Sequence, residues 1–303
     1  MGINKANWTL IVGVDMANPN GDPSANGRPR EDTDGYGLIS AECIKRKIRN
    51  RLQDMGYKVL YQLNGRGTCD EFGSIEERVK ALGCEGDAEK MRSAVLDEYI
   101  DVRLFGATIA VPGGQKDKKG KQKEDGKEQE SAGKGISIGI PGAVTVRPGT
   151  SVAPVHVVNM GITKSMNGLA TEKGGRSSDT MGHKYYVESG VYVIHGTVNG
   201  YISDENRVTE ADIEALKEAV STLFENDGSA ARPEGSMEIM ELLWWQHNCT
   251  LGQYRPRQIQ DSVKITYTDH EPENGTRLDR EYHIEIDDSY QREGNRLEYV
   301  TLV

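Results

Sequence analysis

The stretch WTLIVGVDMA, residues 8–17, sets the first element of the fold. Its β-branched and aromatic side chains predict a β-strand. The twenty residues that follow, 18–37, read NPNGDPSANGRPREDTDGYG and are dominated by asparagine, glycine, proline and aspartate, which favour turns. A loop of this length is uncommon in a compact domain unless it carries a function. The first candidate binding segment therefore lies directly after this strand.

A basic amphipathic helix is predicted after the loop, over residues 41–56 (AECIKRKIRNRLQDMG). Ser40 is the expected N-cap, and Gly56 is expected to end the helix. Four apolar residues spaced for one helical face should point inward: Ile44, Ile48, Leu52 and Met55. Lysine and arginine should cover the remaining surface, with Lys47 and Arg51 opposite the apolar face. We therefore expect a helix that is anchored on one side and basic elsewhere.

The rest of the chain alternates between strand and helix patterns. Strands are expected at 57–63, 136–147, 152–163, 184–203, 237–246 and 262–268, with edge strands at 283–288 and 296–303. Helices are expected at 74–82, 87–104 and 209–226. Residues 114–135 contain no bulky apolar side chain and are predicted to be a disordered insertion. This order predicts an α+β domain with an antiparallel sheet and helices on one side, for which a ferredoxin-like core is the natural candidate.

The charge distribution favours a local basic patch in an acidic molecule. The formal net charge of −10 argues against a nucleic-acid partner, because phosphate binding needs positive charge. Residues 41–51, however, hold five basic residues against one acid, and Arg28 and Arg30 lie in the preceding loop. Residues 266–303 hold ten acids against four arginines, so acidic and basic faces of neighbouring copies could also meet. Because the aromatic residues are scattered, the pattern favours binding along a phosphate backbone over base stacking.

No catalytic or metal-binding motif is evident in the sequence. P-loop, dinucleotide-binding, nucleophile-elbow and His-Glu-x-x-His patterns are all missing, and the histidines and cysteines lack ligand spacing, so no metal and no cofactor are predicted. The carboxylates at Asp15, Asp22, Asp32 and Asp34 could hold a metal for phosphodiester cleavage, although ordinary turn chemistry explains them as well. With neither a signal-peptide pattern nor a membrane-length apolar run, a cytoplasmic protein is expected.

Five segments carry a resemblance to a known family. They are NPNGDP (18–23) with RPR (28–30) and IKRKIRN (44–50), RLFG (103–106), SDTMGHK (178–184), GVY (190–192) with HG (195–196), and FENDGSAAR (224–232). In this order, over about residues 10–265, they resemble segments of the CRISPR-associated Cas7 proteins of types I-C and I-B. His183 stands where the family commonly has arginine, and the charged insertion has no counterpart.

The resemblance implies a modified RNA-recognition-motif palm over residues 1–303, with a finger-like helical insertion (56–112), a disordered charged loop (113–135) and a thumb β-hairpin (157–185). It implies a non-catalytic CRISPR RNA-binding backbone subunit of a type I-C Cascade surveillance complex. Such a subunit polymerises along the guide and supports its pairing with target DNA. Its partners would be CRISPR RNA, the target DNA strand, neighbouring copies and the cap, large and small subunits, with no membrane.

The pattern and the resemblance together give a set of expected RNA-binding residues. They are Asn18, Asn20, Arg28, Arg30, Lys45, Arg46, Arg49, Arg51, Lys164, Met166, Arg176, His183, Lys184 and Arg232. Two other functions remain open from the residues alone: a metal-dependent endoribonuclease that uses a loop aspartate, and a structural protein that assembles without nucleic acid.

Overall fold

A computed structural model describes residues 2–84, 87–111, 135–163, 181–268, 282–287 and 296–300. Most of the predicted charged loop lies outside the described residues. The same is true of the centre of the predicted thumb, including Lys164, Met166 and Arg176. None of the described helices has the length and the apolar character needed to cross a membrane.

The described part of the chain forms seven α-helices, one short 3₁₀ helix (Pro23–Ala25) and fourteen strands. The strands are β1 (Ala6–Ala17), β2 (Gly21–Asp22), β3 (Arg28–Glu31), β4 (Tyr36–Ile39), β5 (Ala107–Val111), β6 (Ile136–Ile140), β7 (Val144–Val146), β8 (Gly149–Pro154), β9 (Val157–Thr163), β10 (Met181–Val198), β11 (Met237–Gln246), β12 (Val263–Tyr267), β13 (Tyr282–Ile286) and β14 (Arg296–Val300). The helices are α1 (Ala41–Asp54), α2 (Ile75–Ala81), α3 (Ala88–Glu98), α4 (Ile100–Phe105), α5 (Gly200–Glu205), α6 (Glu210–Ser221) and α7 (Pro256–Asp261).

A ten-stranded antiparallel sheet forms the centre of the molecule, as the α+β prediction requires. Its path runs β14-β11-β1-β10-β8-β4-β3-β2, and β7 and β9 also pair with β10. The first strand lies between β10 and β11, where Trp8 faces Gly196 on one side and Trp244 on the other. A Cβ at Gly196 would lie 2.0 Å from the Trp8 ring, so only glycine allows this close approach.

Helices α1 and α6 cover one face of the sheet. The alternate residues Trp8, Leu10, Val12 and Val14 of β1 are buried against both helices in the main hydrophobic core. The predicted stripe of α1 supplies Ile44, Ile48 and Leu52 to the same core. Ser40 caps α1 by accepting the Cys43 N–H at 3.2 Å, as predicted from the sequence.

The second face of the sheet is also covered, chiefly by the β12–β13 hairpin. Ile11 and Val191 pack beneath this hairpin. Leu243 and Trp245 pack against Ile259 of α7. The prediction that helices lie on one side is therefore wrong for α7, because the sheet is apolar on both faces and both need cover.

A second, smaller hydrophobic core lies between residues 60 and 140. It joins α2, α3 and the β5–β6 hairpin through side chains such as Val79, Met91 and Ile109. The predicted helix at 87–104 is two helices, because Tyr99 between them has an extended backbone.

Two strand predictions are wrong, and so is the prediction of one continuous loop over residues 18–37, which contain β2, β3 and part of β4. Residues 57–63 form no strand, and the N–H groups of Leu60 and Tyr61 instead donate to the Asp101 carboxylate at 2.7 and 3.3 Å. The predicted strand at 184–203 ends at Val198, since Asn199 caps the short helix α5 by accepting from Tyr201 and Ile202.

Candidate nucleic-acid interface

Two asparagines shape the long loop that follows β1. The Asn18 side-chain amide donates to the Gly27 carbonyl at 2.7 Å, and the Asn18 backbone N–H donates to Ala231 at 2.8 Å. Asn20 accepts the Ser40 N–H at 2.9 Å and so connects the loop to the start of α1. Both residues therefore hold the loop in place, which fixes the position of Arg28 and Arg30 on β3.

The first residues of β10 lie against this loop and against residues 226–232. Tyr186 Oη and Lys184 Nζ both donate to the Ala230 carbonyl, at 3.3 and 3.4 Å. The Arg28 guanidinium lies 5.2 Å from the centroid of the Tyr185 ring, and the centroid of the His183 ring lies 6.3 Å from the same point. The structure thus brings three separate family motifs together at the start of β10.

Asp227 is the acid at the centre of this region. Its carboxylate accepts from Lys47 Nζ and, at 3.1 Å, from Arg232 Nε. Lys47 is buried and also lies over the Phe224 ring at 5.4 Å. Burial lowers the pKa of Lys47 below its ordinary value, with Asp227 opposing that shift and Arg232 adding to it. The prediction that Lys47 lies opposite the apolar face of α1 is wrong, because this ion pair brings it inside.

The two loop arginines are held loosely by comparison. Arg28 lies 3.8 Å from Glu31, and Arg30 lies 3.5 Å from Asp22, with side chains that are 46% and 36% exposed. Exposed pairs of this kind are worth at most about 1 kcal/mol, so an arriving phosphate could take over either arginine. Arg30 Nε is moreover buried without a hydrogen-bond partner among the described residues. We name the group of Arg28, Arg30, Tyr185, Lys184 and Arg232, which lie near the start of β10 and project from both sides of that strand, the basic shelf.

The cations of α1 face a different environment. Arg49 lies 2.8 Å from Asp101 and is sandwiched by the rings of Tyr61 and Phe105, at 4.9 and 5.0 Å. Arg46 donates to the carbonyls of Tyr61 and Gln62, and burial lowers the pKa of its guanidinium, with Arg49 adding to that effect. These contacts join α1 to the second core.

Lys45 and Arg51 also contact the protein itself. The Lys45 ammonium lies 6.0 Å from the Phe105 ring centroid, and Arg51 Nε donates to Thr222 Oγ1 of the α6 C-terminus at 2.7 Å. The RNA-binding roles predicted for the α1 residues remain predictions, and the structure places their side chains in intramolecular contacts.

The loop carboxylates serve turns. Asp22 accepts from the side chain and backbone of Ser24 at 2.7 and 2.9 Å, and these hydrogen bonds lower its pKa. Asp32 accepts the N–H groups of Asp34 and Tyr36, both at 2.9 Å. Within the described ranges, no group of three or more histidine, cysteine, aspartate and glutamate side chains could hold a metal ion.

Tyr185 and Asp227 were not among the residues expected to form the site. Asp227 has a sequence signal, since it lies in the FENDGSAAR segment that the family resemblance picked out. Tyr185 has none, because its contact with Arg28 depends on how β3 and β10 are placed in the sheet. The sequence predicted phosphate contacts alone, and the structure adds an aromatic ring, Tyr185, beside the cation of Arg28.

Comparison with known proteins gives a consistent family. The family model for "CRISPR-associated protein Cas7" matches residues 4–287, which extends the resemblance beyond residue 265. A Haloferax volcanii protein of that description is 24% identical over 218 residues, which are 71% of this chain. The matched region spans 62% of the Haloferax protein's own length.

Two solved structures are also similar. A chain of a "CRISPR RNA-guided surveillance complex, pre-nicking" is 14% identical with a TM-score of 0.44, over 80% of this chain and 78% of that one. A chain of a "CRISPR RNA-guided surveillance complex" is 15% identical with a TM-score of 0.42, over 80% of this chain and 69% of that one.

Proposed function

The chain belongs to the CRISPR-associated Cas7 family, and from this premise we propose that it is a non-catalytic, guide-RNA-binding backbone subunit of a cytoplasmic surveillance complex. In this role several copies assemble along one CRISPR RNA, and the guide that they hold pairs with a target DNA strand. Other subunits complete the complex. We propose a type I-C complex, since the motif set fits that subtype at least as well as type I-B.

The single observation that carries this proposal is the basic shelf. It gathers two exposed arginines, Lys184 and Arg232 near the start of β10, with Arg28 over the Tyr185 ring, on segments that come from three distant parts of the sequence. Guanidinium groups bind phosphate through paired N–H donors, and an aromatic face accepts any nucleobase. This combination suits an RNA strand that is held by its backbone, with limited dependence on sequence.

The chemistry of the shelf fits RNA held as a single strand. The Arg28 guanidinium lies over the Tyr185 ring in a cation–π contact. A base that stacks on this ring would therefore have a cation beside it. The carboxylates nearest the shelf are engaged: Asp227 by two cations, and Asp22 by Ser24. Their negative charge is therefore partly neutralised before a phosphate arrives.

We assign parts of the molecule to the family's architecture as a proposal. The ten-stranded sheet with α1 and α6 corresponds to a palm of the RNA-recognition-motif type. Residues 56–112, with their own hydrophobic core, are the finger-like insertion. The β9–β10 hairpin, in which Met181 pairs with Thr163, is the base of the thumb at 157–185. In an assembly, the thumb would reach a neighbouring copy.

A guide-binding assay tests the shelf. The double variant Arg28→Gln/Arg30→Gln should lose about 10- to 100-fold in affinity for a single-stranded guide, because it removes two charge-assisted contacts. Its log–log salt dependence should become shallower by about 1.4, at about 0.7 for each lost phosphate contact. Fluorescence anisotropy of labelled RNA, on protein washed free of bound RNA, measures both quantities.

The matched control is Lys58→Gln/Lys90→Gln. It removes the same charge from two exposed lysines whose side chains are 67% and 77% accessible, on the second core. Unchanged guide affinity in the shelf variant, or an equal loss in the control, would refute the site. Cleavage of the guide in the presence of Mg²⁺ that disappears in Asp22→Ala would replace the proposal with the endoribonuclease function.

A further inference from the structure

A cleft of about 300 Å³ lies at the opposite end of β10 from the basic shelf. Its lining includes Gly196 with its neighbours His195 and Thr197, Arg147 after β7, and residues of α7. His195 is ten residues after Tyr185, so the two sites are separated by about 33 Å of extended strand. A single phosphate cannot contact both sites, which makes them separable by experiment.

Two guanidinium groups define the chemistry of this cleft. Arg147 Nη1 donates to the neutral amide oxygen of Gln260 at 2.9 Å. Arg257 Nε pairs with Asp261 at 2.8 Å in an exposed ion pair. The described residues around the cleft thus bring two positive charges and one negative charge. Since each guanidinium has five N–H donors, these contacts leave donors to spare on both arginines.

His195 lines the cleft together with both arginines. Its Nδ1 lies 2.9 Å from Thr9 Oγ1. Burial lowers the pKa of His195 to about 4, with Arg147 and Arg257 adding to the effect and Asp261 opposing it. An anion in the cleft would screen the two arginines from the imidazole. Anion binding and proton uptake by His195 would therefore be linked.

We propose that this cleft binds a phosphate group, carried either by a free nucleotide or by a nucleic-acid strand. Two arginines match the paired oxygens of a phosphate. The Thr145 side chain, which also lines the cleft, adds a hydroxyl donor. The volume accommodates a phosphate with its sugar, which is more than one carboxylate needs. Pro256 provides an apolar wall for the sugar. This second site goes beyond the guide site and does not depend on it.

Isothermal titration calorimetry on the full chain, after nuclease treatment and a high-salt wash, tests the proposal. The probes are inorganic phosphate, adenosine monophosphate, a six-nucleotide single-stranded DNA and a hexaglutamate peptide. In parallel, ¹⁵N NMR of the histidine rings follows the titration of His195. We expect the phosphate probes to bind and to raise the pKa of His195 from about 4 towards its ordinary value.

The probes distinguish the two sources of phosphate. Binding of adenosine monophosphate as tight as that of the oligonucleotide identifies a free nucleotide as the ligand. Much tighter binding of the oligonucleotide, when followed through the His195 titration so that binding at the basic shelf is not counted, identifies a nucleic-acid strand. Equal binding of hexaglutamate, or no change in the His195 titration with any probe, would overturn the proposal, the former in favour of an acidic protein partner.

The variant Arg147→Gln/Arg257→Gln should weaken binding by about tenfold or more, since charged hydrogen bonds are lost. Both side chains are exposed, so the fold should survive, and an unchanged far-UV spectrum verifies this. In the free variant, the pKa of His195 should already be higher, because both lowering charges are gone. The control Lys58→Gln/Lys90→Gln should bind the phosphate probes normally. Loss of binding in this control would overturn the assignment to this cleft.

Discussion

Two basic regions follow each other in the sequence, and the fold uses them in opposite ways. Helix α1 has the higher density of charge, with five basic residues against one acid over residues 41–51. Yet Lys47 and Arg49 are only 6% and 14% exposed in their side chains. The neighbouring loop has fewer cations, but Arg28 and Arg30 are 46% and 36% exposed.

Charge counted along a sequence is therefore not the same as charge available to a ligand. A cation brought inside must recover its hydration energy from partners, and α1 obtains these from Asp101, Asp227 and two aromatic rings. The loop arginines keep most of their hydration and have only weak partners. A phosphate chain therefore competes with weaker protein partners for the arginines of the loop than for the cations of α1.

The same division between buried, paired charges and exposed charges separates the structural residues from the ligand-accessible residues in two of the family segments. In the RLFG segment, Arg103 binds Asp212 through two hydrogen bonds of 3.0 and 2.7 Å, while Asp212 also closes the capping box of α6. In the FENDGSAAR segment, Asp227 holds Lys47 and Arg232 together. These residues contribute to folding, and only part of each segment is exposed enough to contact a ligand.

Removal of a buried partner of the α1 cations should have the greatest effect on stability. Asp101→Ala should reduce the free energy of unfolding by about 3–5 kcal/mol, because it leaves the Arg49 guanidinium inside without its carboxylate. The backbone N–H groups of Leu60 and Tyr61 lose their acceptor as well. Urea unfolding followed by tryptophan fluorescence measures the change, since Trp8 and Trp244 lie in the main core.

Glu98→Ala is the matched control for that measurement. Glu98 pairs with Lys58 at 2.5 Å, but both side chains are exposed, so its removal should cost less than about 1 kcal/mol. If Asp101→Ala also cost less than this, the cations of α1 would not be structural, and the contrast between the helix and the loop would fail.

A smaller effect separates two lysines by their titration. Burial lowers the pKa of Lys47, whereas the hydrogen bond to Glu98 raises the pKa of Lys58. In ¹³C NMR of the lysine ε-carbons, Lys47 should lose its proton below the ordinary lysine pKa of 10.5, and Lys58 above it. Lys47→Arg and Lys58→Arg assign the two signals. The opposite order would mean that Lys47 is as well solvated as a surface lysine.

The sign of the linked stability follows from these directions. Between the folded pKa of Lys47 and 10.5, the unfolded chain binds more protons at this position, so the contribution of Lys47 to stability rises with pH. For Lys58 the contribution is present below 10.5 and is lost as the pH rises through its higher folded pKa. Alkaline unfolding curves of the two arginine variants should therefore deviate from the parent in opposite directions.

Much of the fold could be predicted from periodicity. The strand at β1, the helix α1 with its Ser40 cap and the capping box of Thr209 with Asp212 all follow from local patterns. The strand predicted at 57–63 fails because Asp101, about forty residues away, takes the place of a partner strand. Local propensity contains no information on such a distant acceptor.

The candidate site was harder to predict than the fold. The motifs gave Arg28, Arg30, Lys184 and Arg232, which the structure brings together near the start of β10. The sequence could not predict that Lys47 is buried. Lys47 lies between Ile44 and Ile48 in the sequence of α1, and only the packed fold shows that it forms an ion pair with Asp227 in the interior. Nor could the sequence give the Arg28–Tyr185 contact, which depends on strand placement.

The smallest expected effect on stability lies on the exposed side of the comparison. Arg28→Gln should change the free energy of unfolding by less than about 1 kcal/mol, because its pair with Glu31 is long and exposed and its contact with Tyr185 is solvated. The same urea experiment measures it beside Asp101→Ala. A loss above about 2 kcal/mol would mean that Arg28 has a structural role like that of the cations of α1. A small loss combined with weak guide binding would show that this arginine acts on the ligand, since the fold does not depend on it.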